Sequence, residues 1–168
     1  MNSLAFMATA GIITLLLSLI FLALAIVYYV IRSLALYNMF KSLDYDKAWF
    51  AWFPICSQYA LGDVATTNCS YEDGFHLFGR IVVPDALCKW WILGVVIGSI
   101  ALGWLGPVCS LLIIVATVFF TAGILSELVA WIRNEDATNE IGMSILASII
   151  PIADIVYFKK ITNDLMEN

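Results

Sequence analysis

Residues 90–126 read WWILGVVIGSIALGWLGPVCSLLIIVATVFFTAGILS, without a charged side chain and with Gly103-Trp104-Leu105-Gly106-Pro107 in the middle. About 20 apolar residues cross a bilayer as a helix. The stretch therefore predicts two spans joined by a tight turn. Working outward, Met1 to Ile31 is another uncharged run and predicts one more span. The three spans fall at about 3–32, 81–105 and 108–132, all within a single membrane domain over residues 1–168.

Composition agrees with this reading. Hydrophobic residues make up 62% of the chain and charged residues 12%, whereas about a quarter of a soluble domain is charged. Mean hydropathy is +0.95. Ala8-Thr9-Ala10 resembles a signal cleavage site, but Met1-Asn2-Ser3 carries no basic residue and the apolar run continues well past it, so a retained first span is expected.

Lys and Arg favour the cytoplasmic side of a membrane, and the eight here are Arg32, Lys41, Lys47, Arg80, Lys89, Arg133, Lys159 and Lys160. An outside N-terminus and an inside C-terminus place them all in the cytoplasm. Trp49, Trp52, Trp90, Trp91 and Trp131 then fall at the inner boundary and Trp104 at the outer turn. The excess of acidic over basic residues, 13 to 8, argues against nucleic acid as a partner.

Two shorter apolar segments, about 48–62 around Pro54 and 141–158 around Pro151, are expected to break at their prolines. They are read as re-entrant or interfacial helical hairpins. Each carries a short polar side chain three places after proline, Ser57 and Asp154. The predicted fold is thus an all-α integral membrane protein of three transmembrane helices plus two proline-containing hairpins. Four transmembrane helices is the alternative if 141–158 crosses.

Lys47-Ala48-Trp49-Phe50-Ala51-Trp52-Phe53-Pro54-Ile55-Cys56-Ser57-Gln58-Tyr59-Ala60-Leu61-Gly62 resembles a segment of uncharacterised small multi-pass membrane proteins of Gram-positive bacteria. Ile149-Ile150-Pro151-Ile152-Ala153-Asp154 looks like the Pro-x-x-Asn element those proteins often show a second time, with Asp154, like Ser57, standing where Asn is usual. The resemblance implies architecture and a bacterial cytoplasmic membrane; it implies no activity.

Ionisable residues in spans are costly and often functional, which singles out Asp85, Lys89 and Glu127 as a candidate polar pathway near the cytoplasmic mouth. Asp85 and Lys89 are four apart and could pair on one helix face. Glu127 is close enough to a span end to snorkel. Gly94 and Gly98 form a GxxxG, and Ala122, Ser126 and Ala130 recur every fourth residue, spacings that let helices approach closely in lipid. They are candidate packing or oligomer faces. Leu36, Met39, Phe40 and Leu43 predict an amphipathic continuation of the first span.

Cys56, Cys69, Cys88 and Cys109 show no metal-ligand spacing, His76 is the sole histidine, and no phosphate loop, nucleophile triad or zinc motif occurs. No cofactor, metal or catalytic residue is predicted. The expected function is non-enzymatic: a homo-oligomer surrounded by membrane lipid, forming a pore or small-solute pathway. The alternative is a scaffold or regulatory protein that meets an unknown protein partner through its cytoplasmic loops.

Overall fold

The computed structural model describes residues 2–102 and 107–167, with side chains for 11–100 and 110–166. Six helices dominate: α1 (Asn2–Ser42), α2 (Pro54–Cys69), α3 (Asp85–Leu102), α4 (Pro107–Arg133), α5 (Ala137–Ile149) and α6 (Pro151–Glu167). A 3-10 turn over Ala48–Trp52 precedes α2, and the antiparallel strands β1 (Phe75–Leu77) and β2 (Ile81–Val83) lie between α2 and α3. The expected turn at Gly103–Gly106, with Trp104, lies outside the described residues.

Two helices are long and apolar enough to cross a membrane, Gly11–Ser42 and Ser110–Arg133. The third predicted span is corrected at its start. Ile81–Val83 is a strand, so the helix begins only at Asp85, with a charged first turn, and its described part ends at Leu102. Both of those helices lie among the residues whose side chains are described, which for α3 cover only 85–100.

Helix α1 runs unbroken for 41 residues, about 60 Å at 1.5 Å per residue. Residues 11–31 are uncovered by the rest of the chain apart from a half-buried Tyr28. Further along, Ser33, Leu36, Met39 and Phe40 are buried. The amphipathic continuation therefore exists, but its apolar face enters the core. A Schellman closure ends α1: Tyr45 N–H reaches Phe40 O and Asp44 N–H reaches Lys41 O, with Asp44 at φ 53°. Helix α4 ends the same way, Glu135 N–H on Ala130 O and Asn134 at φ 53°.

Both proline segments break as expected. Phe53 and Ile150 are extended, at φ −118°, ψ 119° and φ −98°, ψ 114°, because the residue before proline avoids the helical region. Pro54 and Pro151 then open new helices, where a missing N–H costs nothing. The first segment does not end at Gly62, however. Helix α2 continues to Cys69, and Thr66, Thr67 and Asn68 satisfy their side chains on the Gly62, Asp63 and Val64 carbonyls within it. The stretch after Gly62 is thus helix to Cys69 and then a β-hairpin.

The core gathers Leu36, Met39, Phe40, Leu61, Val64, Phe75, Leu77, Ile124, Leu125, Leu128, Phe158 and Ile161. Residues 121–130 of α4 are buried on every face. Two close approaches set its geometry. A Cβ on Gly62 would lie 2.3 Å from Cys88 O of α3, and one on Gly123 would lie 2.4 Å from Leu77 Cδ2 of β1. No larger residue fits either crossing without a shift.

Candidate functional site

The predicted polar residues do not form one pathway. Lys89 Nζ lies 2.8 Å from Asp63 Oδ1 of α2, and Tyr45 Oη donates to Asp63 Oδ2 at 3.0 Å. Burial, and after it the Asp63 carboxylate, drive the Tyr45 phenol well above its ordinary pKa. Asp85 instead accepts from Ser70 Oγ at 2.8 Å. The expected Asp85–Lys89 pair is thus replaced by two bonds to α2 and the residue after it.

Glu127 is buried, 5% exposed, and does not snorkel. Its Oε1 accepts the Gly79 amide at the tip of the β-hairpin, where Phe78 and Gly79 both have positive φ. Glu127 therefore ties the hairpin to α4. It also lines a cleft of about 360 Å³ with Asn68, Ser70, Tyr71, His76, Asn134, Glu135 and Asp136. Neither Asp85 nor Lys89 lines it. His76 stacks on Tyr71 at 4.5 Å, with Nε2 3.1 Å from Asp73.

The proline breaks meet α1 through side chains. Tyr29 Oη donates to Trp52 O before Pro54. Three residues after Pro151, Asp154 Oδ2 accepts from Arg32 Nε at 2.7 Å and from Tyr28 Oη at 3.0 Å. The other carboxylate oxygen, Oδ1, is buried without a partner. Ser57 is also buried, and its hydroxyl bonds Pro54 O at 2.9 Å. The polar position after each proline thus closes its own helix turn in one case and anchors α6 to α1 in the other.

Sequence reasoning missed a further network. Arg133 at the end of α4 bonds Glu140 of α5 at 2.5 Å and Asp164 of α6 at 2.7 Å. Glu140 Oε2 accepts from Tyr157 at 3.1 Å, and Tyr157 lies 3.0 Å from Ser144. Burial pushes the Tyr157 phenol up to about 12. Only a lone basic residue at the end of an apolar run hinted at this.

The two small-residue faces diverge. Ala122, Ser126 and Ala130 are buried within the chain. Gly94 and Gly98 have open space where a Cβ would stand. They line an apolar groove of about 690 Å³ with Leu112, Ile113, Ala116 and Phe120 of α4. Trp49, Trp52, Trp90 and Trp131 are exposed, whereas Trp91 is buried and stacks on Phe120 at 5.5 Å. Cys69 and Cys88 are buried, as small apolar core residues are, and Cys56 is half-buried.

Comparison of the chain with family models, curated proteins and solved structures found no match in any of the three.

Proposed function

We propose that the chain is a non-enzymatic multi-pass protein of a bacterial cytoplasmic membrane that works as a scaffold or regulatory partner through a packed cytoplasmic module. In this reading α1, α3 and α4 are three spans, the N-terminus is outside, and the two proline-broken segments do not cross. The observation that carries it is the distribution of polarity. No residue over 11–27, 92–100 and 110–120 of α1, α3 and α4 is fully buried and none carries an ionisable side chain, while the ion pairs and the polar cleft all involve the packed parts. Ser18, Ser99 and Thr117 spend their hydroxyls on backbone carbonyls of their own helices. A hydrophilic solute needs polar groups along its path, and at that depth the described residues offer only the hydroxyls of Thr14, Ser18, Ser99, Ser110 and Thr117.

The apolar tips support non-crossing segments. Phe53 and Ile55 at one break, and Ile149, Ile150 and Ile152 at the other, are exposed large apolar side chains. Such groups suit contact with lipid at the interface. The resemblance to small multi-pass proteins of Gram-positive bacteria supports the same location.

A self-assembled pore is the second reading, favoured by the uncovered α1 and the open Gly94–Gly98 groove. Mass measurement in nanodiscs together with solute release from proteoliposomes separates the two. A monomer or small oligomer without release supports the scaffold; a ring that releases solute overturns it. A cysteine at exposed residue 163 reports orientation, since labelling from outside overturns the inside C-terminus. Ile161 is buried and would not report.

A further inference from the structure

The cleft between the β-hairpin and the end of α4 has an unbalanced charge. Glu127, Glu135 and Asp136 line it, and no lysine or arginine does. His76 lines the cleft too but faces Asp73, whereas Arg133 is held by Glu140 and Asp164 and Arg80 does not line it. Glu127 is nine-tenths buried and spends only Oε1 on the Gly79 amide; Oε2 has no partner among the described residues. Asp136 occupies the N-cap of α5, where an aspartate usually bonds the first helical amides, yet it makes no side-chain capping bond. Its carboxylate stays available. Trp131 adds an exposed aromatic wall, which attracts cations through its π-face, while His76 covers one face of Tyr71.

We infer that this cleft binds an organic cation: an ammonium or guanidinium group carried by a free amine or by a lysine or arginine side chain. A volume of about 360 Å³ accommodates such a group with its aliphatic stem. Glu127 at the floor supplies the buried charge. Glu135 and Asp136 at the exposed rim add long-range attraction, and Trp131 covers the stem. The inference rests on the packed module being the working part of the chain. Its test is independent of flux and oligomeric mass, so either can fail alone.

The experiment is calorimetric titration of the full chain in nanodiscs of neutral phosphatidylcholine, which do not themselves concentrate cations. The probes are agmatine, an end-blocked Arg-Lys-Arg peptide and, as the anion control, inorganic phosphate. Saturable one-site binding of agmatine or the peptide is expected, at least tenfold weaker in Glu127→Gln and unchanged in Asp46→Asn, an exposed acid away from the cleft. Should Glu127→Gln disturb the hairpin, Asp136→Lys places a competing ammonium on the exposed rim; it is expected to abolish binding at unchanged helix content. Tighter peptide binding identifies a basic protein segment as the source, and tighter agmatine binding a small amine; both support the site. No saturable binding of either, equal binding in both variants, or binding of phosphate in their place overturns it.

Discussion

Arg32 in α1 and Asp154 in α6 form an ion pair at 2.7 Å across 122 positions of sequence. Their side chains are only 19% and 10% exposed. Removing one partner strands a mostly buried charge, which costs about 3 kcal/mol or more. Arg32→Met and Asp154→Leu are each expected to destabilise by that order, and the double variant to recover most of the loss. Denaturant melts of the four proteins in one detergent provide the cycle, and additive losses would contradict the pair.

Lys89 distinguishes the pairing read from spacing from the pairing found in space. A double-mutant cycle between Lys89 and Asp63 is expected to give a coupling of about 1 kcal/mol, discounted because Lys89 is 31% exposed. The cycle between Lys89 and Asp85 is expected to lie near zero. Reversal of that order would restore the helix-face pair.

Two glycines are expected to respond with opposite signs. Gly62→Ala drives a Cβ onto the Cys88 carbonyl and is expected to cost about 1–3 kcal/mol. Gly142 lies exposed within α5, with nothing within 4 Å of its would-be Cβ. Gly142→Ala is expected to stabilise by about 0.5–1 kcal/mol through helix propensity. Thermal unfolding of both variants checks the pair of signs.

Thiol labelling reads the core directly. Burial pushes the Cys69 thiol up to about 12, so at pH 8 only about one molecule in ten thousand carries the thiolate that reacts. Cys56 is half-buried. Site-resolved mass spectrometry after maleimide treatment in mild detergent is expected to find Cys56 modified and Cys69 intact, until denaturant equalises them.

Stability is expected to reside in the packed ends of the helices. Phe40 is fully buried and Phe21 is 68% exposed to the protein's surroundings. Phe40→Ala is expected to cost about 3–5 kcal/mol, and Phe21→Ala to leave the unfolding midpoint unchanged, because lipid or detergent already covers that ring.

The sequence by itself determined the features that depend on a few neighbouring residues. Uncharged runs marked the long apolar helices α1 and α4. Pro54 and Pro151 broke the chain where their ring chemistry requires it, and the spacing of Leu36, Met39 and Phe40 marked the buried face of α1's end. Local sterics and periodicity act within a turn or two, so they are readable in one dimension. The end of α2 is not readable in the same way, because threonine and asparagine can satisfy themselves inside a helix as well as in a loop.

Only the tertiary structure decided which charges meet. Asp63 rather than Asp85 holds Lys89, Asp154 reaches back to Arg32, and Glu127 turns from a snorkelling side chain into the anchor of a β-hairpin and the floor of a cleft. The small-residue face at Ala122, Ser126 and Ala130 is spent inside the chain, whereas Gly94 and Gly98 remain open. The physical reason is that an ion pair depends on distance through space, and distance is fixed by the path of all six helices together.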